Sequence, residues 1–562
     1  MTMKNLYKSA LAIALALTVG CTGDFDEINS LPGGITADEA SAKYFFTNTQ
    51  VELFGPNRFP YWRGPLIHGD RFAGYFTFGH NGCWWDDGLA YTYNSGYTDA
   101  TYDWLASYTG AIDNFLDITA VDAEFENELM YAVGLIQKSL FFTKYTDIFG
   151  EIPYSETGNP EILSPKFDTQ IEIYQGCIDD LNTAITLIGD NDRTGGGVDD
   201  MADNDLVFNG DLQKWKKLAN TLKLKIGVRA LGAPNSGFAS TAISEALAAG
   251  AFMESTDEDA KLIKDEEISQ WGSAAYGDIW HNFGGLGSKW HVGETLISLL
   301  RDNADPRLGK YAQPAAGGDI VMAAPVDAVQ EKGLAAMVAT LDDAGVNYTL
   351  DRGAETVTIS FAPNTYYIGQ PSRLNGFSRN FAAWDLFSTP ADPIINPKNG
   401  GPIQAEMILT SADAYFLRAL AALEGIGGGD ANMLYQEGVS RAMEYWGVGS
   451  DEIATFLASS PKGSLSGTPD EMKIQVNEQR WIANYTNGFE GWAIARKTGA
   501  PVDVADGVDD SDVYSMGDTN GAYPQRMKYG NAPKDKNGSN LEEAISRQGP
   551  DELGTKLWWA RQ

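Results

Sequence analysis

Apolar residues return every three or four positions through several stretches of this chain, the spacing of one face of an α-helix. Phe125, Leu129, Val133, Ile136 and Leu140 predict a helix from Asp122 to Tyr145. Asp211 stands as an N-cap ahead of Trp215, Leu218, Leu222 and Ile226, with Gly232 near the predicted end. Thr410 and Asp413 lie close to capping-box spacing, and Phe416, Leu420 and Leu423 follow before Gly425. A fourth helix is predicted through Tyr435, Val439, Ala442, Met443 and Trp446, and a fifth over Glu471 to Tyr485. These segments form two groups, roughly 100–250 and 405–500.

Between the groups, roughly 251–404, the helical spacing gives way to Gly, Pro, aromatics and short polar runs. Gly284-Gly285-Leu286-Gly287, Pro363-Asn364 and Asn399-Gly400-Gly401-Pro402 predict loops and turns. Alternation from Tyr348 to Ile359 predicts a hairpin with Arg352-Gly353 near its turn. Asp190 to Asp205 reads as a polar, Gly-rich loop, and no fixed period runs along the chain, so any helical repeat is degenerate. The expectation is a helical scaffold that presents a loop-built face, because rigid elements commonly hold variable binding loops.

The N-terminus has its own pattern. Lys4 and Lys8 precede an apolar run from Ala10 to Val19, broken only by Thr18. A bilayer needs about 20 apolar residues, so this run fits a secretory signal and not a span. It ends in Leu17-Thr18-Val19-Gly20-Cys21, which is similar to a lipobox: a small residue directly before the Cys that would be lipidated. Residues 1–20 are therefore expected to be a lipoprotein signal peptide and Cys21 the acylated first residue of a domain running from 21 to 562. The acidic stretch Asp24-Phe25-Asp26-Glu27 behind it resembles a Bacteroidetes surface-export signal.

Charge narrows the partners. The formal net charge is −35, and nucleic acid or an anionic membrane face needs clustered Lys and Arg instead. Neutral glycans are not repelled by such a surface. With three Cys, one of them in the lipobox, at most one disulfide is open to Cys83 and Cys177; buried thiols are the expectation.

Fourteen Trp and 25 Tyr fit either a Trp-rich core or a sugar-stacking surface. The densest local candidate is Asn81-Gly82-Cys83-Trp84-Trp85-Asp86-Asp87, two aromatics beside two carboxylates on a Gly-marked loop. If it is extended, Trp84 and Trp85 point opposite ways and one of them faces solvent. Trp271, Tyr276, Trp280 and Trp290 crowd the start of the insert with Asp278, His281, Asn282 and His291; Tyr276, Trp280 and Trp290 are candidate ligand contacts, the alternative being a packing role under a long loop. Trp384, Arg373 and Arg379 are weaker candidates. The acidic loops from Asp190 to Gly195 and from Asp506 to Asp512 raise structural calcium, but in the first Met201 stands where a bidentate Glu belongs, and a solvated acidic loop is the expected reading. No H-E-x-x-H pair, G-x-S-x-G elbow or Walker loop occurs; a glycosidase needs only two placed carboxylates, which 76 acids leave open.

Four segments together resemble the SusD/RagB-like family. They are Tyr145-Thr146-Asp147-Ile148-Phe149-Gly150-Glu151-Ile152-Pro153-Tyr154-Ser155-Glu156; Asn209-Gly210-Asp211-Leu212-Gln213-Lys214-Trp215 continuing to Arg229; Ala414-Tyr415-Phe416-Leu417-Arg418-Ala419 with Tyr435-Gln436-Glu437-Gly438-Val439; and Gln479-Arg480-Trp481 through Asn487-Gly488-Phe489-Glu490-Gly491-Trp492 to Gly499. Tyr523-Pro524-Gln525 and Thr555-Lys556-Leu557-Trp558-Trp559 match the family's close, and Leu420 departs where an acid is common. The resemblance implies a mainly α fold, a right-handed superhelix of tetratricopeptide-like helix pairs with a loop-rich binding half. It also implies a non-catalytic, lipid-anchored outer-membrane protein that captures oligosaccharides for a TonB-dependent SusC-like transporter. Peptide-capturing members are the alternative, a glycoside hydrolase a more distant one, and a pure scaffold for the transporter a third.

Overall fold

Asn127, and not Asp122, starts the first predicted helix. Its side chain accepts from the amides of Leu129 and Met130, whereas Asp122 sits at positive φ in the preceding turn. The structure, a computed structural model, describes residues 40–55, 58–84, 91–264, 274–282, 285–395 and 403–561. The signal segment, Cys21, Trp85 and Trp271 lie outside the described residues.

The scaffold is built from helices α1 (Glu128–Phe149), α2 (Gln170–Ile188), α3 (Leu212–Ala230), α4 (Phe238–Ala249), α5 (Ser411–Leu423), α6 (Ala431–Tyr445), α7 (Pro469–Ala483) and α8 (Gly488–Thr498). Asp211 and Thr410 cap α3 and α5 as predicted, and Thr468 with Glu471 forms a full capping box that starts α7 two residues early. α1 packs on α2, α3 on α4 and α5 on α6, and short connections make the last two pairs antiparallel hairpins. α1 buries Ala132, Val133, Gly134, Leu135 and Ile136 in unbroken succession, so it is enclosed on several sides and not amphipathic.

The insert holds more regular structure than expected. The hairpin of β5 (Tyr348–Arg352) and β6 (Thr356–Phe361) is joined on its β6 edge by β4 (Gly318–Ala323), and the helix Ala328–Asp343 encloses a separate small core through Leu334, Met337 and Leu341. Two-stranded pairings complete the sheets: β1 (Phe76–Thr77) with β3 (His291–Val292), and β2 (Ala260–Leu262) with β7 (Glu406–Leu409). Cys83 and Cys177 are buried thiols, as expected. No helix among the described residues is long and apolar enough to cross a membrane.

One buried ion network joins the scaffold. Glu490 of α8 accepts from Arg229 of α3, from Arg480 of α7 at 2.7 Å and from Lys225 of α3 at 2.7 Å. Arg229 also pairs with Asp147 of α1, and Arg480 with Asp413 of α5. Burial alone would push the Glu490 carboxyl up, but Arg229, Lys225 and Arg480 hold it well below the usual carboxylate range. Asp147, Arg229, Arg480 and Glu490 belong to the segments that carry the family resemblance, and Asp413 directly precedes one of them.

The network also places the loops. Gly488 and Gly491, either side of Glu490, let the chain at Gly69–Tyr75 come close: a Cβ on Gly488 would stand 2.1 Å from the Asp70 amide nitrogen, and one on Gly491 2.3 Å from the Tyr75 hydroxyl. Tyr75 donates to the Trp481 carbonyl at 2.5 Å and the Trp481 indole to the Ala73 carbonyl at 2.9 Å. Because β1 starts one residue after Tyr75, the scaffold fixes where the loop half begins. We expect Glu490→Gln to cost about 3–5 kcal/mol, since it leaves buried guanidinium groups underpaired; urea unfolding measures this, and a loss below about 1 kcal/mol would contradict the role assigned to the network.

Candidate functional site

The strongest cluster of exposed rings forms where two segments meet. Arg58–Tyr61 is a helical turn that runs directly into a π-helical stretch, Trp62–Asp70, containing Pro65. A Pro lacks the amide hydrogen for the regular α-helical bond, and π-turns often accompany functional surfaces. This segment presents Phe59, 53 % exposed, and buries Trp62 beside it, the ring centroids 6.4 Å apart. A second segment brings Trp84, also 53 % exposed, its ring 6.2 Å from Trp62 and tilted by 57°. Trp62 is thus a buried ring that neighbours two exposed ones.

Polar groups edge this surface. The Arg63 guanidinium lies 5.4 Å from the Phe59 ring centroid, 5.5 Å from Trp62 and 5.6 Å from Tyr97, a cation shared by three aromatic rings. Arg58 pairs with Asp278, the Nη2–Oδ1 distance being 2.6 Å. Leu286 is partly exposed nearby, on the turn Gly285–Ser288. That turn is close beneath Trp84: a Cβ on Gly287 would lie 2.2 Å from the Trp84 Cδ1. Only glycine lets the indole rest there. Arg379 donates to the Cys83 carbonyl and so holds the root of the Trp84 loop.

The other predicted aromatics stand behind this surface. Trp290 is fully buried, its ring 5.8 Å from Phe76 and 5.7 Å from Phe78. Tyr276 is buried and donates to Asp70 at 2.8 Å; burial raises that carboxyl well above its ordinary range, with the Tyr276 bond opposing. Trp280 is nearly buried, edge-on to Trp290 at 5.0 Å and covered by the Lys289 ammonium at 5.3 Å. A sugar stacks on an open ring face, whereas Trp280, Trp290 and Tyr276, expected from the sequence as ligand contacts, are buried in packing here. Trp384 is half-buried, 4.4 Å from the His291 ring and 5.8 Å from Trp280. Arg373 is buried, lies 4.2 Å from the Tyr91 ring centroid and donates to the carbonyls of Ser515, Met516, Gly521 and Ala522, which makes it a loop organiser. Of the predicted site, Trp84 is exposed and Trp85 lies outside the described residues.

Phe59, Trp62 and Arg63 are not among the residues the sequence predicts for the site. Arg58-Phe59-Pro60-Tyr61-Trp62-Arg63 does carry a signal, aromatics interleaved with Arg around a Pro, but it stands outside both the helical groups and the insert. Among the described residues no three His, Cys, Asp or Glu side chains gather as a metal cluster. In the loop that opens at Asp190, Arg193 donates to the Asn209 carbonyl and Thr194 to the Asp199 carbonyl, so internal bonds order it.

A separate cleft of about 450 Å³ lies behind the β1–β3 pair, lined by Gly74, Glu294, Thr340, Asp343, Arg373 and Asp503 among others. Burial pushes the Glu294 carboxyl up to about 7, Asp343 and Asp503 adding to the rise and the Thr340 bond opposing it. A folded-state pKa above the unfolded value favours folding below the unfolded value, and that contribution is lost as pH rises through the folded one. Glu294→Gln is therefore expected to melt close to the native protein near pH 4 and to be more stable by about 2 kcal/mol near pH 8; equal differences at both pH values would refute the burial effect.

Comparison with known proteins agrees with this architecture. A family model described as starch-binding associating with outer membrane, SusD-like, matches residues 84–530. No protein of curated function matches the sequence. Among solved structures, a chitin-binding protein is 23% identical with a TM-score of 0.71, covering 93% of this chain and 100% of its own. A SusD-like protein from Bacteroides thetaiotaomicron is 21% identical with a TM-score of 0.70, covering 93% and 99%. A chitin-binding SusD homolog from Flavobacterium johnsoniae is 20% identical with a TM-score of 0.68, covering 92% and 98%. At these identities the likeness is one of fold.

Proposed function

The chain belongs to the SusD-like family, described as starch-binding and associating with the outer membrane, and from that premise we propose that it captures glycan chains on the surface made by Phe59 and Trp84. The observation that supports this reading is the pair of half-exposed rings, Phe59 and Trp84, that both pack on Trp62 and are edged by Arg63 and the Arg58–Asp278 pair. Sugar rings carry apolar C–H faces that stack on aromatic rings, and hydroxyls that bond to charged and amide groups. Stacking on two rings binds a polymer reversibly, which suits holding it and passing it on.

In this reading Cys21 carries the lipid that tethers the protein to the outer membrane at the cell surface, and a SusC-like TonB-dependent transporter receives the oligosaccharide. No catalytic role is assigned. Asp278 is engaged by Arg58, and Asp70 is buried behind Tyr276, so neither is set out as an acid or nucleophile for a bound chain.

Calorimetry and native gels containing amylopectin or chitin oligosaccharides test the proposal. Trp84→Ala and Phe59→Ala should each weaken binding by about tenfold while leaving the melting temperature nearly unchanged, because both side chains are half-exposed. Gly287→Ala should weaken binding through displacement of the Trp84 ring. Retention of peptides but no polysaccharide would transfer the function to peptide capture, and shortening of a bound glycan would overturn the non-catalytic reading. Cys21→Ala should release the protein from the membrane fraction of the cells that make it.

A further inference from the structure

Three buried histidines differ in what faces their ring nitrogens. Nδ1 of His68 meets the Arg63 carbonyl at 2.5 Å and its Nε2 meets no hydrogen-bond partner, so one proton suffices. Burial lowers its pKa to about 4, and the ring is neutral. Nε2 of His291 meets the Trp384 carbonyl at 3.0 Å, and Nδ1 lies 2.5 Å from the Gln370 amide. The amide nitrogen of Gln370 has no partner of its own, and with that nitrogen turned toward the ring it donates to Nδ1. His291 is then neutral with its proton on Nε2.

His80 has no such solution. Its Nδ1 lies 2.6 Å from the Asn81 carbonyl and its Nε2 3.2 Å from the Lys289 carbonyl. A backbone carbonyl only accepts and cannot be turned, so both nitrogens have to carry protons for both contacts to be bonds. Neutral imidazole would set a bare lone pair against one carbonyl in a buried site. The Trp384 ring packs against it with centroids 4.9 Å apart at 65°, an edge-to-face contact that fixes the imidazole plane.

We propose that His80 is an imidazolium at neutral pH and the positioning residue of the exposed aromatic surface, a role that rests on the reading of that surface as the ligand site. The two carbonyls it joins explain the role. Asn81 stands three residues before Trp84, and its own side chain accepts from the Trp384 amide at 3.2 Å while its amide donates to Ala382 at 2.9 Å. Lys289 follows the turn on which the Trp84 ring rests. One charge therefore joins the root of the Trp84 loop to the bed under its ring and to the Trp384 segment.

Among the described residues, the ionisable groups on the elements around His80 are His291 on β3, 5.1 Å between ring centroids; Lys289, whose ammonium lies over Trp280; Arg379, which donates to Cys83; and exposed Asp385 beside Trp384. A positive His80 disfavours a second charge on His291, in line with the neutral tautomer derived above. Loss of the His80 proton on raising the pH leaves one carbonyl without a donor and loosens the loop.

The chain has four His, so ¹⁵N-histidine NMR of the intact mature protein resolves the states directly. Near pH 7 the His80 ring is expected to show two protonated nitrogens, and His68 and His291 one each; His80→Gln removes the first signal set and assigns it. In amylopectin gels the native protein should be retarded about tenfold more weakly near pH 9 than near pH 6, and His80→Gln weakly at both. One protonated nitrogen on His80 near pH 7, or unchanged retardation of His80→Gln, overturns the proposal. If that variant does not fold, the pH titration of the native spectrum decides. Absence of retardation of the native protein at every pH counts against glycan capture, and the spectrum alone then judges His80.

Discussion

A single carboxylate carries the architecture. Glu490 lies in a buried space among α1, α3, α7 and α8 and is surrounded by Lys225, Arg229 and Arg480. Burying a carboxylate is costly unless its partners are close and well directed, and burying guanidinium groups is costly in the same way. Asp147 and Asp413 complete the balance, so five helices share one network in which no member can leave without stranding another. Hydrophobic contact would hold these helices together in many registers, whereas directional ion pairs between named positions select one.

The same constraint reaches the loop half. Gly488 and Gly491 flank Glu490 on α8, and their missing side chains admit the backbone of Gly69–Tyr75. Tyr75 then donates to the Trp481 carbonyl, and the Trp481 indole donates to the Ala73 carbonyl. The π-helical stretch that bears Trp62 and Arg63 ends at Asp70, and β1 begins at Phe76. Both halves of the aromatic surface therefore leave from one seat on the scaffold, which is how stacked helices can fix the relation between Phe59 and Trp84.

Behind the exposed rings the aromatic residues form a graded stack. Phe76, Phe78 and Trp290 are buried, Trp280 and Trp384 lie nearer the surface, and Phe59 and Trp84 are open to water. Rings in the first group supply area and stiffness, since packing with edge-to-face contacts restricts movement. Histidines fill the polar gaps between them, each bonded to carbonyls or an amide. The open pair is half-exposed, so what it offers is surface.

Much of the scaffold was legible along the chain. Helical spacing, the caps at Asp211 and Thr410 and the four resemblance segments named the helices and their family, because each depends on residues within a few positions of one another. The cores of the ion network were also in those segments, though their pairing was not. Burial of Trp280, Trp290 and Tyr276 was not legible, since a loop-rich sequence with dense aromatics reads alike whether the rings point in or out. Only the tertiary structure decided it, by packing β1 against β3 from positions more than 200 residues apart and so enclosing the Trp290 ring. It decided as well that Phe59 and Trp84 share Trp62, a meeting of two segments whose nearness depends on the glycines of α8 and not on any local pattern.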